Sequence, residues 1–150
     1  MENRPVPLRR QSKNAKVELL RGVALFSQCS NRELTRIASL ADEIQVPKGK
    51  ALTRQGEPGR EFFVVIDGKA RATVRGRKGT KLGPGSSFGE MALLDQGLRS
   101  ATVTAETDMD LLVLDSRSFS TLIEEVPSVA RKVLRAMAER LRAAERAAVH

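Results

Sequence analysis

The residues best suited to chemistry lie close together in the stretch Gly85-Ser86-Ser87-Phe88-Gly89-Glu90-Met91-Ala92-Leu93-Leu94-Asp95-Gln96-Gly97-Leu98-Arg99-Ser100. Two glycines bracket a serine pair, a short apolar run follows, and a second turn delivers one arginine, Arg99, ahead of an alternating strand. That layout suits an anion. Amide N–H groups at the start of a short helix are unpaired and lie at the positive end of its dipole. Glycine lets a backbone approach closely, and an arginine fork neutralises a phosphate through two parallel bonds. Glu90 would repel a phosphate at close range, so its carboxylate is better suited to accept hydrogen bonds from a sugar hydroxyl. By itself Glu90 would be a first-turn helix residue stabilised by the dipole, and Arg99 a solvated side chain. Their spacing and the glycine turns on each side favour a shared binding role. Ser100 adds a hydroxyl that can reach a phosphate oxygen or an amino group of guanine. Thr102 is expected to be structural.

Composition removes several alternatives. The chain has 150 residues, enough for one domain with a real core. One cysteine, Cys29, and one histidine, His150, cannot build a zinc or iron–sulfur site or a serine–histidine triad. Cys29 reads as a small buried hydrophobe, and a lone cysteine fits a reducing, cytoplasmic setting. No catalytic residues, metal ligands or cofactor are expected, and no enzymatic activity. No apolar run is long enough for a transmembrane helix, and no signal peptide follows the basic start. The chain has five Phe and no Trp or Tyr, which disfavours a base-stacking nucleic-acid platform. A loop-83–89 P-loop is excluded because no Gly-Lys-Ser/Thr ending follows, and a dinucleotide fingerprint lacks its βαβ setting.

The net charge of +8 gathers at the two ends. Residues 1–16 carry a net +4, residues 127–150 another +4, and residues 17–126 balance at 15 basic and 15 acidic. Solvated ends are one reading, and docking to an acidic partner, lipid or nucleic acid is the other.

The elements that must position the pair follow from periodicity. Short helical turns are expected over about Ala15–Phe26, broken at Gly22. Ser30 and Glu33 form a capping box that opens a helix to about Ala41, burying Leu34, Ile37, Ala38 and Leu40. Alternation then changes to a two-residue period. Strands are expected at Glu43–Pro47, Ala51–Arg54, Glu61–Ile66, Lys69–Arg75, Thr80–Leu82, Ala101–Glu106 and Asp108–Leu114. Asp67-Gly68 is the strongest hairpin signal, and Lys69–Arg75 alternates with Ala70, Ala72 and Val74 inward. Gly76-Arg77-Lys78-Gly79 reads as a further turn. Asp115 caps a helix over Ser116–Glu125, and Pro127 opens the last helix, to about Ala147. Its Ala130, Leu134, Met137, Leu141, Ala144 and Ala148 form a heptad-like seam. Many short strands with glycine turns indicate an antiparallel barrel or sandwich.

Phe88-Gly89-Glu90-x-Ala92-Leu93, closing in Arg99-Ser100-Ala101-Thr102-Val103, resembles the phosphate-binding cassette of cyclic-nucleotide-binding domains. Gly49, Gly56-Glu57-Pro58-Gly59 and Phe63 through Gly68 add to the resemblance, which covers roughly residues 17–147. Leu98 departs from it, since many relatives have proline there. The resemblance implies a mainly β fold: an eight-stranded antiparallel jelly-roll barrel over about 43–114, with an N-terminal helical piece. The cassette would occupy 85–103, with two C-terminal helices over about 116–147; outside the resemblance, the prolines and basic residues of 1–16 read as a flexible basic arm. It implies that Arg99 holds the cyclic phosphate and Glu90 the ribose 2′-hydroxyl. The Gly89, Met91 and Ala92 segment would line the pocket, with Ser100 beside the phosphate or base. Leu134, Met137 or Leu141 is the candidate cap over the base. The ligand expected is cAMP, or cGMP, and the output a movement of the last helix, whose seam alternatively serves core packing or a homodimer. The expected partners are therefore a cyclic nucleotide and an effector protein. A helix-turn-helix would have to follow the last helix, so the domain is expected to stand alone or to be the sensor part of something larger. A competing reading is a basic interaction module that kept the fold without the ligand and docks to nucleic acid or an acidic surface. Such a module would not need the Glu90/Arg99 pair.

Overall fold

A computed structural model describes residues 11–95 and 97–149. The chain opens with helix α1 (Lys13–Arg21), a single 3-10 turn (Ala24–Phe26) and helix α2 (Asn31–Leu40). Ser12 caps α1 by accepting from the Ala15 amide, and Gly22 closes it. Of the flexible arm expected over 1–16, residues 1–10 lie outside the described residues, whereas Lys13 to Lys16 belong to α1. His150 is also outside them.

The capping box forms in full. Ser30 Oγ accepts from the Glu33 amide at 3.2 Å, and Glu33 Oε1 accepts from the Ser30 amide at 2.8 Å. Leu34, Ile37 and Ala38 turn into the core, while Leu40 is only partly buried.

Eight strands follow: β1 (Asp42–Val46), β2 (Ala51–Thr53), β3 (Glu61–Asp67), β4 (Ala70–Val74), β5 (Arg77–Leu82), β6 (Ser87–Phe88), β7 (Thr102–Ala105) and β8 (Met109–Asp115). They form two four-stranded sheets in the orders β1-β8-β3-β6 and β2-β7-β4-β5, and every pair is antiparallel. This is a jelly roll of two facing sheets rather than one closed barrel.

The central strands explain why β3 reads as an unbroken apolar run. Phe62 and Val64 face the helices, together with Leu112 and Leu114 of β8. Phe63 and Val65 face the opposite sheet, together with Leu111 and Val113. A strand covered on both faces has no polar side to alternate with. Phe26 fits between the first sheet and helix α3 (Ser116–Glu125), 6.1 Å edge-on from Phe62 and 5.9 Å from Phe119. Each such fully buried side chain contributes about 1.5–3 kcal/mol by removal from water. Cys29 is buried as expected, and burial foremost pushes its thiol up to about 11.

Two turns differ from expectation. Asp67-Gly68 is not a hairpin: β3 and β4 belong to different sheets, so this turn carries the chain across the sandwich. Gly68 (φ 93°) passes so close to β8 that a Cβ would lie 2.4 Å from the Asp108 carbonyl oxygen. The true hairpin is β4–β5. Its two-residue loop is Arg75-Gly76, both at positive φ, between the paired Val74 and Arg77. Two positive φ values give the turn whose twist matches antiparallel strands. Residues 77–79 are therefore strand, not turn. The inward alternation of β4 also ends early, because Val74 is 46% exposed.

Asp115 caps α3 through the Ser118 amide at 2.9 Å. Helix α4 (Pro127–Val149) follows at once. Its buried row is Val129, Val133 and Ala136. Leu134 and Leu141, central to the expected seam, are 68% and 62% exposed, and Met137 is partly buried. The helix is thus turned by about one residue, or roughly 100°, from the face that apolar spacing selects. Glu33 fixes its first turns. The carboxylate is 7% exposed and accepts from Ser128 Oγ and Lys132 Nζ, each at 2.5 Å. Burial pushes its pKa up, but the bonds from Lys132, Ser128 and Ser30 together outweigh burial and hold it at about 2.

Candidate functional site

The cassette hangs on β3. Phe88 and Ser87 of β6 pair with Phe63 and Val64, and the Phe63 and Phe88 rings stack at 4.9 Å. Gly89 (φ 83°) then turns the chain into a 3-10 turn, Glu90–Leu93. Its inner residues Ala92 and Leu93 are buried, and Leu93 packs with the helix-side core. Buried apolar anchors below and a left-handed glycine at the start leave Glu90 on the open side. Met91 is 49% exposed at the rim.

Arg99 is held by backbone on both flanks. Its amide donates to the Glu57 carbonyl at 2.8 Å, and its carbonyl accepts from the Gly56 amide at 2.9 Å. The loop Gly56-Glu57-Pro58-Gly59 is thereby zipped to 97–99, with Pro58 bridging Leu98. The side chain runs through a slot made by the absence of two side chains. A Cβ on Gly59 would lie 2.1 Å from Arg99 Nε, and one on Gly89 would lie 2.7 Å from Arg99 Nη1. Nη2 donates to the Glu61 carbonyl at 2.8 Å, which fixes the fork. Burial lowers the Arg99 pKa and nearby Glu61 raises it. An arginine starts so far above neutrality that the guanidinium stays charged.

Glu90 and Arg99 open into one cavity of about 650 Å³, which Gly89, Met91, Ala92 and Ser100 also line. The structure therefore brings together all six of the cassette residues expected to meet a ligand. It does not bring Leu134, Met137 or Leu141 to the cavity wall. Among the described residues, the one α4 side chain lining it is Arg140, which makes an ion pair with Glu90. The sequence reading missed Arg140, treating it as part of the basic end. A second lobe of about 240 Å³ adjoins at Phe88, Gly89, Arg99 and Ser100 and runs between the sheets past Thr53, Ala72, Thr80 and Leu82. No group of three or more His, Cys, Asp or Glu able to hold a metal occurs among the described residues. Nor is any described helix long and apolar enough to cross a membrane.

A jelly roll that aims a half-buried arginine and a carboxylate from one glycine-flanked bend into a shared cavity has the geometry of a small-anion site. The chain belongs to the cyclic nucleotide-binding domain family, whose model matches residues 43–126. It is similar to the Cyclic AMP receptor protein of Thermus thermophilus, 36% identical over 131 residues, covering 84% of this chain and 61% of that one. It is also similar to a cyclic nucleotide-gated potassium channel of Mesorhizobium japonicum, 37% identical over 127 residues, covering 85% of this chain and 35% of the channel. The chain thus spans 61% and 35% of the length of these two relatives. Among solved structures, the N-terminal domain of a transcriptional regulator from Streptomyces coelicolor A3(2) superposes with a TM-score of 0.79. That pair is 30% identical and covers 86% of this chain and 94% of the other.

Proposed function

We propose that this domain is a regulatory sensor that binds a cyclic nucleotide, cAMP in preference to cGMP, and signals by moving α4. The observation that carries the reading is the single cavity into which Arg99, Glu90 and Arg140 all open. Its volume lies within the usual range for small-ligand sites, roughly 300–1,000 Å³. The cyclic phosphate sits on the Arg99 fork, which is already oriented by Glu61 and so loses little freedom on binding. The ribose 2′-hydroxyl donates to Glu90. The base enters the inner lobe, against Leu82 and Ala72. The name of the Thermus relative supports cAMP as the nucleotide.

Signalling follows from Arg140. The ion pair ties α4 to the carboxylate that would hold the ribose. A hydroxyl arriving at Glu90 competes for the same oxygens and changes what holds the helix. The helix then shifts in proportion to the ligand's differential affinity for its two positions. Among its described residues α4 places no apolar side chain on the cavity wall, so capping of the base by Leu134, Met137 or Leu141 requires the helix to move.

The test is calorimetry and thermal shift with cAMP and cGMP on the wild type and on Arg99→Glu. Wild type is expected to gain about 2.7 kcal/mol of stability at a ligand concentration one hundred times Kd. Arg99→Glu is expected to show neither heat nor shift. Wild-type affinity in that variant would overturn the assignment.

A further inference from the structure

Between Asp67 and Glu90 the chain has no acidic residue, yet six cations fall there: Lys69, Arg71, Arg75, Arg77, Lys78 and Lys81. The even overall balance of 17–126 conceals this cluster. All six lie on or beside the β4–β5 hairpin. β5 is the edge of its sheet, pairs only with β4, and is exposed from Arg77 to Lys81. Arg71 has a carboxylate partner, Glu106 at 3.1 Å. Among the described residues the other five cations have none. Lys81 stands opposite Arg71, and Lys78 opposite Thr73. Thr102 and Thr104 of β7 continue the same rows on the far side of β4.

An open edge of six residues, about 20 Å long, presents outward N–H and C=O groups, of which the Gly79 carbonyl accepts from Arg71 Nη1 at 3.5 Å. Lysine on such an edge blocks self-association, because a second copy of β5 would set cations against cations. The same charges admit a strand of opposite sign. Carboxylates on alternate residues of an extended segment would meet Lys78 and Lys81, while its backbone completes the edge. A nucleic-acid backbone fits less well. Phosphates only accept, so they leave the β5 carbonyls unmatched, and the hairpin has no aromatic ring on which bases could stack. We propose that β5 is a docking edge for an acidic, extended segment of a partner protein, which adds as a fifth strand to the second sheet. Lys78 and Lys81 line neither the cavity nor the lobe beside it, although Thr80 and Leu82 of the same strand line that lobe.

The probe is a fluorescein-labelled peptide of eight alternating glutamate and valine residues, titrated onto the full chain, with a lysine–valine peptide and a 20-base-pair DNA duplex as comparisons. Saturable binding of the acidic peptide alone is expected, with slowed hydrogen exchange at amides 77–82. Lys78→Glu with Lys81→Glu is expected to weaken it by about tenfold or more. Arg131→Glu with Arg135→Glu, the same charge change on exposed positions of α4, is expected to leave it near wild type. Far-UV circular dichroism checks that both variants keep the fold. Equal weakening by the two pairs, tighter binding of the duplex, or binding without protection at 77–82 would each overturn strand addition. So would the absence of saturable binding, which would leave the cations with the anti-pairing role alone.

Discussion

Gly59→Ala separates the arginine slot from the stability of the fold. The backbone of Gly59 lies outside the left-handed region, so alanine is tolerated there without backbone strain. The new methyl would meet the Arg99 side chain at 2.1 Å from Nε, 2.4 Å from Cζ and 2.5 Å from Cδ. Ordinary contact begins at about 3.5 Å, so the guanidinium must move by more than about 1 Å. Retreat is limited by Gly89, where a Cβ would lie 2.7 Å from Nη1, and takes the fork off the Glu61 carbonyl. A misplacement of about 1 Å in a positioning group is worth roughly 100-fold. Losing a buried charge contact to ligand altogether costs about 2–5 kcal/mol. The expected result by calorimetry is a loss in cAMP affinity of about 100-fold or more, with a melting temperature within a few degrees of wild type. Gly49→Ala is the counterpart. Gly49 has φ 92° and nothing within 4 Å of a Cβ, and neither it nor Ala105, to which its amide donates, lines the cavity, so alanine strains the chain there without touching Arg99. That variant is expected to lose about 1–2 kcal/mol of stability and keep most of its affinity. If Gly59→Ala bound cAMP like wild type, the guanidinium in this slot would not be the phosphate ligand.

Three further outcomes follow from the helices. Glu33→Gln removes the charge between α2 and α4. A carboxylate pKa lowered from 4.5 to about 2 contributes on the order of 3 kcal/mol, fully present above pH 4.5 and lost as pH falls toward 2. Thermal melts are therefore expected to show a gap of roughly 5–10 °C at pH 7 that closes near pH 2; a gap independent of pH would remove the charge from the account. Arg140→Ala is expected to change stability by less than about 1 kcal/mol, because that guanidinium is nearly half exposed and solvent screens its pair with Glu90. In the same variant, hydrogen exchange over 127–149 is expected to stop responding to cAMP, and an undiminished response would put the signal elsewhere. Asp115→Ala is expected to cost about 1 kcal/mol in denaturant melts through loss of the α3 cap, with cAMP affinity unchanged.

What the sequence made legible was local. The Ser30/Glu33 box, the Asp115 cap and the Gly89 bend are each written in a few adjacent residues, and each formed where expected. The cassette was legible for the same reason: Glu90 and Arg99 are nine positions apart and share one loop. What stayed hidden was the pairing of distant segments. Asp67-Gly68 carries a hairpin dipeptide, but a turn dipeptide specifies only its own φ and ψ, not which strand the chain joins next. Gly59 read as loop composition, because its role depends on a side chain from the other end of the cassette.

Helix α4 shows how close the hidden part came to being readable. The larger side chains, Leu134 and Leu141, lie on the row that apolar spacing selects, and the protein leaves both exposed. Val129, Val133 and Ala136 step by four and three on the row that the protein buries. The next step of four on that row is Arg140. Core packing near the Pro127 end therefore aims a cation toward the cassette near the other, and Glu33 sets the rotation that does so through Ser128 and Lys132. A change at Glu33 that lets α4 turn should thus loosen the Arg140–Glu90 contact, although the two carboxylates belong to different elements and share no partner. A double-mutant cycle of Glu33→Gln and Arg140→Ala, read as cAMP affinity, is expected to be non-additive by about 0.5 kcal/mol or more. Additivity would show that the start of the helix does not govern where its guanidinium lands.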